Sequence, residues 1–252
     1  MSATHAKAVI SIVIPAYNEE QFIGTLLEKI KQVDTESLGI SKQIIVVNDC
    51  SVDRTSEIVN EVIANGFSEV SLIEHEKNAG KGRAVRTGLD QATGDYIIIQ
   101  DADLEYDPED YLPMLAPLLA DEADVVYGSR YLKYPNAGIL KNLLTGKHPA
   151  QTWVAYLGGQ SLSFVARLFV PMFISDTVTA YKLFKASILK NMTLETTGFE
   201  TDHEISCKVL AQGYRIKEVP ISYFPRTVEE GKKIGLSDWF CAIKTFWKYR
   251  NG

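Results

Sequence analysis

YIIIQDADLE, residues 96–105, is the stretch that bears most directly on the fold. A tyrosine and three isoleucines form an apolar run without polar alternation, which is typical of a strand buried on both faces of a parallel sheet. The run ends in Gln100, Asp101 and Asp103. Two carboxylates at the end of a buried strand are costly unless a cation or a hydrogen-bond network neutralises them. The stretch therefore predicts a central strand followed either by a metal site or by acids that cap a helix near Asp107.

The metal interpretation makes Asp101 and Asp103 the candidate ligands. Mg²⁺ is commonly held by one or two carboxylates while substrate phosphates complete its coordination shell, and Mn²⁺ accepts the same oxygen ligands. Open α/β sheets bind their ligands at the carboxyl ends of the strands, where these aspartates lie. The sequence thus favours Mg²⁺ or Mn²⁺ at this edge.

Strand and helix patterns alternate on both sides of this stretch. A chain of 252 residues is long enough for one large domain, and no repeat or linker divides it. We therefore predict an α/β fold, a mostly parallel central sheet flanked by helices. The predicted domain covers 1–235 and is followed by a C-terminal amphipathic helix over 236–252. Strands are predicted over 9–15, 43–47, 70–74, 96–100, 125–129, 179–185 and 216–223, and helices over 18–31, 51–64, 81–92, 107–120, 186–191 and 200–212.

Charge is unevenly distributed along the chain. The net charge of −6 argues against a protein that coats nucleic acid. Residues 125–175 nevertheless contain five basic residues and no acid, which leaves −11 on the remainder. A basic, apolar segment over about 131–175 indicates an anionic partner. A buried or loop-like segment, broken into short pieces by its glycines and prolines, would also explain the missing acids.

The cellular setting is inferred from cysteines and apolar segments. Cys50, Cys207 and Cys241 lack CxxC spacing and are expected to be small buried thiols in a reducing compartment. The N-terminus lacks a signal-like pattern, and the apolar runs are shorter than the ~20 residues of a spanning helix. The last helix has an apolar stripe with basic flanks, which is typical of a membrane-surface helix or of one that docks on the sheet. We expect a cytoplasmic protein, peripheral on the cytosolic face of a membrane, and leave a homo-oligomer open.

Three further turns carry polar residues at strand ends or helix starts. PAYNEE (15–20) can present a flat face to a nucleobase or simply cap a helix, and NDCS (48–51) repeats that arrangement. NAGKGR (78–83) is not a Walker A loop, but it can place a lysine near a diphosphate at a helix N-terminus. Taken singly, each turn is equally compatible with ordinary helix capping.

Taken together, the motifs resemble the family 2 glycosyltransferases. The resemblance rests on their order and spacing and covers nearly the whole chain. It is closest to the dolichol-phosphate mannose synthases and related polyprenol-phosphate glycosyltransferases. The motifs are PAYNEE, VVNDCSVDRT (46–55), the run from Lys77 to Asp110, DVVYGSRY (124–131), DTVTAYKLFKASIL (176–189), GFETDHEI (198–205) and GYRIKEVPISYFPRTVEEGKKI (213–234).

This resemblance implies a GT-A fold, the Rossmann-like fold of nucleotide-diphospho-sugar transferases, with a nucleotide-sugar donor and a divalent cation. It implies a metal and diphosphate motif of Asp101, Asp103 and Glu105, although mannose synthases typically have Gln in place of this Glu. By position, donor binding is assigned to Pro15, Ala16, Tyr17, Glu19, Asp49 and Lys81, together with Asp101 and Asp103. The acceptor phosphate is assigned to Arg130, Arg226 and, more loosely, Lys232.

The chemistry of the acceptor separates two kinds of transfer. A phosphate monoester is already anionic at neutral pH, because its second pKa is about 6, so it needs cations more than a base. We therefore expect an inverting enzyme that moves mannose or glucose from GDP-mannose or UDP-glucose to a polyprenyl or dolichyl phosphate, with Asp103, Arg130 and Arg226 essential. A hydroxyl acceptor would instead need Asp202 as a base, and an inactive nucleotide-sugar binding module is the third alternative. His203, beside Asp202, is a candidate extra metal ligand.

Overall fold

The computed structural model describes residues 8–132, 153–169, 174–225 and 236–250. Seven strands form one sheet in the order β3-β2-β1-β4-β6-β5-β7. All neighbours pair in parallel except β6, which is antiparallel to both β4 and β5. The strands are β1 (Ala8–Ala16), β2 (Ile40–Asn48), β3 (Val70–Glu74), β4 (Tyr96–Ile99), β5 (Val125–Ser129), β6 (Lys182–Lys185) and β7 (Ile216–Pro220). The predicted mostly parallel α/β sheet is confirmed.

Helices cover both faces of this sheet, as the uninterrupted apolar strands require. They are α1 (Ile23–Gln32), α2 (Thr55–Ala64), α3 (Lys81–Gln91), α4 (Tyr111–Leu119), α5 (Trp153–Phe169), α6 (Ala186–Lys190), α7 (Thr201–Ala211) and α8 (Leu236–Lys248). Short 3-10 helices occupy Thr35–Leu38 and Pro108–Asp110.

Strand β1 divides the core into two layers. Ile12 and its same-face neighbours pack with Leu26 and Leu27 of α1, whereas Val13 on the opposite face packs with Val85 of α3. Each such side chain is fully enclosed and contributes about 1.5–3 kcal/mol through removal from water. Helix α3 approaches β1 so closely that a Cβ on Gly88 would lie 2.3 Å from Val13 Cγ1. This close approach fixes the start of α3 at the carboxyl edge of the sheet.

Several element boundaries differ from the sequence-based prediction, and for two of them the described contacts give the reason. Helix α1 begins at Ile23 rather than at residue 18, since the backbone N–H groups of Asn18, Glu19 and Glu20 donate to side chains of the 51–55 segment. Strand β7 ends at Pro220 rather than at residue 223, because Tyr223 pairs instead with Tyr106 in an isolated bridge.

The segment predicted to consist of short pieces contains a long helix. Helix α5 runs through Gly158 and Gly159, each of which costs about 1 kcal/mol relative to alanine in a helix. Packing offsets that cost, because α5 lies against α8 and a Cβ on Gly159 would lie 3.0 Å from Tyr131 Oη. The prediction of a broken segment was therefore wrong for 153–169, while 133–152 lies outside the described residues.

The C-terminal helix docks on helices rather than on the sheet. Ala242 and Phe246 of α8 pack with Ala166 of α5 and Cys207 of α7. The three cysteines are free, but the expectation of buried thiols holds only for Cys207, since Cys50 is half-buried and Cys241 exposed. Within the described ranges, no helix is both long and apolar enough to cross a bilayer.

Candidate active site

Three loops converge at the carboxyl edge of the sheet, after the adjacent strands β2, β1 and β4. Each contains a non-glycine residue in the left-handed region, with φ of +56° at Asn18, +62° at Cys50 and +59° at Leu104. L-residues reach this region at a cost of about 1–2 kcal/mol, and such strain clusters where loop shape matters for function. This edge is therefore the candidate active site.

The first two loops are bonded to each other. Asn18 Oδ1 accepts from Val52 N at 2.9 Å, and Ser51 Oγ accepts from Asn18 N at 2.9 Å. Glu19 N donates to Thr55 Oγ1, while the Tyr17 ring stays 42% exposed at the rim. The turn of Pro15, Ala16, Tyr17 and Glu19, predicted for donor binding, is thus rigid and presents an aromatic side chain to solvent.

Asp49 is an internal anchor for the next loop. Its carboxylate accepts from the backbone N–H groups of Ala79 and Gly80 and lies 2.6 Å from Nδ1 of His75. Asp49 is only 3% exposed. The side chain therefore holds the segment that leads into Lys81, and its predicted contact with the nucleoside stays a prediction.

Lys81 joins two acids that are remote in sequence. Its Nζ lies 2.7 Å from Asp101 Oδ1 and 2.8 Å from Asp202 Oδ2, and its side chain is 11% exposed. Phe199, itself largely exposed, places its ring centroid 5.8 Å from the same ammonium. The structure thus brings together the predicted diphosphate lysine, the first acid of the metal motif and the candidate base.

The two acids beside Lys81 are affected differently by burial. Burial raises the pKa of Asp101 to about 6 despite the ammonium of Lys81, and the nearby carboxylates of Asp103 and Asp202 add to the rise. Burial also acts to raise the pKa of Asp202, but the ammonium groups of Lys81 and Lys182 outweigh it and lower that pKa overall. Asp101 is therefore more readily protonated than Asp202.

The acidic motif fits a divalent cation as a pair of ligands. Asp103 Oδ1 accepts from Glu105 N at 3.1 Å, which fixes the turn, while Glu105 Oε2 accepts from Tyr223 Oη at 3.1 Å. Throughout the described ranges, no three His, Cys, Asp or Glu side chains form a group that could hold a metal ion. Carboxylates of Asp101 and Asp103 match the common arrangement in which one or two acids and substrate phosphates share a Mg²⁺ ion.

Arg130 is connected to this motif through Tyr223. Its Nε and Nη2 donate to the buried carboxylate of Asp176 at 2.7 and 2.8 Å, a bidentate pair. The guanidinium carbon also lies 5.1 Å from the ring centroid of Tyr223, whose hydroxyl reaches Glu105. Arg226 and Lys232, the other predicted acceptor cations, lie outside the described residues.

His203 packs against an aromatic ring of α8. Its ring centroid lies 5.2 Å from that of Phe246, and Nδ1 is enclosed without a hydrogen-bond partner among the described residues. Desolvation lowers the pKa of His203 to about 4, so the ring is neutral at pH 7. Its predicted role as an extra metal ligand stays a prediction.

Sequence reasoning missed three residues of this site: Asp176, Lys182 and Tyr223. Asp176 is the first acid after the acid-free segment, a signal that could have paired it with a basic residue of that segment. Lys182 is 2% exposed, and its ammonium donates to the carbonyl of Thr179 and lies 5.1 Å from the ring centroid of Tyr127. No local pattern marked Tyr223.

This fold, with its paired acids at the sheet edge, is that of the GT-A glycosyltransferases. Glucosyl-3-phosphoglycerate synthase from Mycobacterium tuberculosis, solved with uridine diphosphate, aligns with a TM-score of 0.69 at 19% identity, over 96% of this chain and 80% of that one. S. aureus TarS 1-349, solved with UDP, aligns with a TM-score of 0.62 at 19% identity, over 95% and 64%.

Residues 11–182 match the family model described as Glycosyl transferase family 2, and the chain belongs to that family. It is 30% identical over 230 residues to the dolichol-phosphate mannosyltransferase of Pyrococcus furiosus, covering 90% of this chain but only 59% of that relative. It is also 30% identical over 233 residues to a UDP-N-acetylglucosamine–dolichyl-phosphate N-acetylglucosaminyltransferase of Methanococcus voltae, covering 86% of each. The family and the GT-A fold implied by the motifs are confirmed.

Proposed function

We propose that this chain is an inverting glycosyltransferase that moves mannose or glucose from a nucleotide-diphosphate sugar to a polyprenyl phosphate at a membrane surface. The observation that carries the proposal is the pairing of Asp202 with Lys81. A carboxylate with a lowered pKa and an ammonium at 2.8 Å is a weak base. This pairing disfavours a hydroxyl acceptor that must be deprotonated and supports an acceptor that is already anionic.

On the donor side, Asp101 and Asp103 are the proposed ligands of Mg²⁺ or Mn²⁺, with Glu105 close by. When bound, the cation supplies neutralising charge as the diphosphate leaves the anomeric carbon. The relatives support this assignment, since the mycobacterial synthase was solved with Mn²⁺ or Mg²⁺ together with UDP. Tyr17 and Asp49 are proposed to border the nucleoside pocket.

On the acceptor side, Arg130 is the proposed phosphate ligand, with Arg226 and Lys232. Asp176 uses Nε and Nη2 of the guanidinium, which leaves Nη1 without a partner among the described residues. Because this guanidinium is already fixed, it loses little conformational entropy when it binds a phosphate. It can also orient a phosphate oxygen for attack. The acceptor then needs no proton transfer before it reacts.

Helices α5 and α8 support contact with a membrane surface. Leu157 and Phe164 are exposed seven residues apart on α5, as are Phe240 and Trp247 on α8, at 65% and 57% exposure. The guanidinium of Arg250 lies 4.0 Å from the Trp247 ring centroid, so a cation accompanies the apolar side chains. We propose residues 1–235 as the catalytic domain and 236–252, which contain α8, as a segment that rests on the cytosolic face of the membrane.

The test is transfer from labelled GDP-mannose or UDP-glucose to a short polyprenyl phosphate in the presence of Mg²⁺ or Mn²⁺. We expect labelled lipid with one donor, and loss of transfer in Asp103→Asn with the circular dichroism spectrum unchanged. Transfer to a saccharide but not to the lipid, with severe loss in Asp202→Asn, would establish the hydroxyl-acceptor alternative. Donor binding without transfer to any acceptor would establish a binding module.

A further inference from the structure

The ammonium of Lys81 lies between the carboxylates of Asp101 and Asp202 and neutralises part of their negative charge. It contacts Asp101 and Asp202 at once, and no other described side-chain cation lies within 4.0 Å of either carboxylate. Lys182 is too distant for an ion pair with Asp202, although its charge is felt there. Lys81 is therefore the resident counter-ion of the acidic site.

The backbone holds this ammonium in place. Gly80, at φ +88°, precedes α3 and donates its N–H to Asp49 Oδ2, while Gly82 N donates to Thr197 O at 2.7 Å. A Cβ on either glycine would lie 2.6 Å or less from a carbonyl oxygen of the 196–197 segment. Because both neighbours of Lys81 are clamped, its backbone is fixed at the start of α3, and its side chain, only 11% exposed, reaches from there to both acids.

A divalent cation bound to Asp101 would lie close to this fixed positive charge. Two positive charges so near each other in a partly buried site repel strongly, so a cation arriving without the nucleotide is disfavoured. A nucleoside diphosphate brings negative charge that compensates both the cation and the ammonium. Whether the cation can bind before the nucleoside diphosphate then depends on the charge of Lys81.

We propose that Lys81 is a positioning residue that makes cation binding conditional on the nucleotide, so that the metal and the nucleoside diphosphate enter together. This inference rests on the proposed function, because it takes Asp101 as a metal ligand. By linkage, the factor by which the nucleotide strengthens metal binding equals the factor by which the metal strengthens nucleotide binding.

The experiment measures Mn²⁺ binding to the whole chain by electron paramagnetic resonance, without nucleotide and with UDP or GDP. We expect weak Mn²⁺ binding to the unliganded protein and much tighter binding with one nucleotide. In Lys81→Gln, Mn²⁺ alone should bind at least about tenfold more tightly, which is 1.4 kcal/mol, and the enhancement by nucleotide should shrink by the same factor. Lys81→Arg, which keeps the charge, should retain the wild-type enhancement.

Lys185→Gln is the matched control. Lys185 also bridges two aspartates, Asp121 at 2.6 Å and Asp124 at 3.0 Å, but at the far end of β6. Its removal should leave Mn²⁺ binding unchanged.

Two results would overturn the inference. One is tight Mn²⁺ binding to the unliganded wild type with no enhancement by either nucleotide, a measurement that does not depend on whether a variant folds. The other is a folded Lys81→Gln protein whose Mn²⁺ affinity is unchanged or lower. If UDP and GDP fail to bind even with saturating Mn²⁺, the proposed function fails instead.

Discussion

Replacement of Gly82 by alanine tests how tightly α3 is packed against the segment that leads to Asp202. A Cβ at this position would lie 2.0 Å from Thr201 Oγ1 and 2.6 Å from the backbone oxygen of Thr196. The hydroxyl can rotate away, but the carbonyl cannot move without displacing its turn. Overpacking of this kind costs about 1–3 kcal/mol, against a gain of about 1 kcal/mol in helix propensity. The difference is at most about 2 kcal/mol, and because the carbonyl is held in its turn we expect the upper part of that range, a destabilisation of about 1–2 kcal/mol.

Thermal unfolding followed by circular dichroism measures this effect. In a domain of this size 1 kcal/mol corresponds to about 2–4 °C in Tm, so Tm should fall by roughly 2–8 °C. Gly158→Ala is the control: none of the described atoms lies within 4 Å of its added Cβ in the interior of α5, so Tm should rise by up to about 4 °C. Sugar transfer should fall in Gly82→Ala, because the displaced turn leads into α7, which carries Asp202, and stay unchanged in Gly158→Ala. A Gly82→Ala protein with Tm equal to or above wild type would refute the packing argument.

Three further changes probe separate parts of the molecule. Asp176→Asn removes the fully enclosed carboxylate that pairs with the guanidinium of Arg130. Because the guanidinium then has no counter-charge, the free energy of unfolding measured in urea should fall by about 3 kcal/mol. It should also raise the KM for polyprenyl phosphate far more than that for the nucleotide sugar; an equal rise in both would contradict the acceptor role. Trp247→Ser should weaken co-sedimentation with anionic vesicles. Leu119→Ser is the control, because Leu119 is also exposed and apolar but lies on α4, and it should leave co-sedimentation unchanged. Equal binding by both variants would count against the proposed membrane face. The pKa of His203 is about 4 in the folded protein and 6.5 in the unfolded chain. As pH falls from about 6.5 to about 4, the unfolded chain binds a proton at this histidine and the folded protein does not, so stability is lost. Wild-type Tm should therefore drop more between pH 7 and pH 5 than that of His203→Gln, and parallel curves would show that this histidine contributes nothing.

The sheet could be predicted from the sequence because its signals are local. Apolar runs such as the isoleucines before Asp101 indicate a strand buried on both faces without reference to any other part of the chain. The position of an acid at the end of such a strand is likewise visible in the local sequence. The pairing of Lys81 with Asp202 could not be deduced in this way, because the two residues are 121 positions apart and meet only when α3 and α7 pack. Tyr223 was missed for the same reason: its contact with Glu105 depends on a bridge between distant segments.

Helix α5 illustrates the opposite error, in which a local signal was misleading. Two adjacent glycines indicate a break when propensity alone is considered, but the loss is small beside the burial of apolar side chains between packed helices. Local patterns therefore located the acidic edge of the site, while tertiary packing determined which cations reach it.

The left-handed residues in the three edge loops have a consequence for protein engineering. Asn18, Cys50 and Leu104 hold conformations that glycine adopts without strain, so glycine at these positions would relieve the folded backbone while adding freedom to the unfolded chain. Valine or isoleucine there would be excluded, since a branched Cβ worsens the same clash. A library built to raise thermal tolerance should therefore sample glycine, asparagine and aspartate at 18, 50 and 104 and omit branched residues. Each increase in Tm found there would also measure the backbone strain that the native residue imposes on its loop.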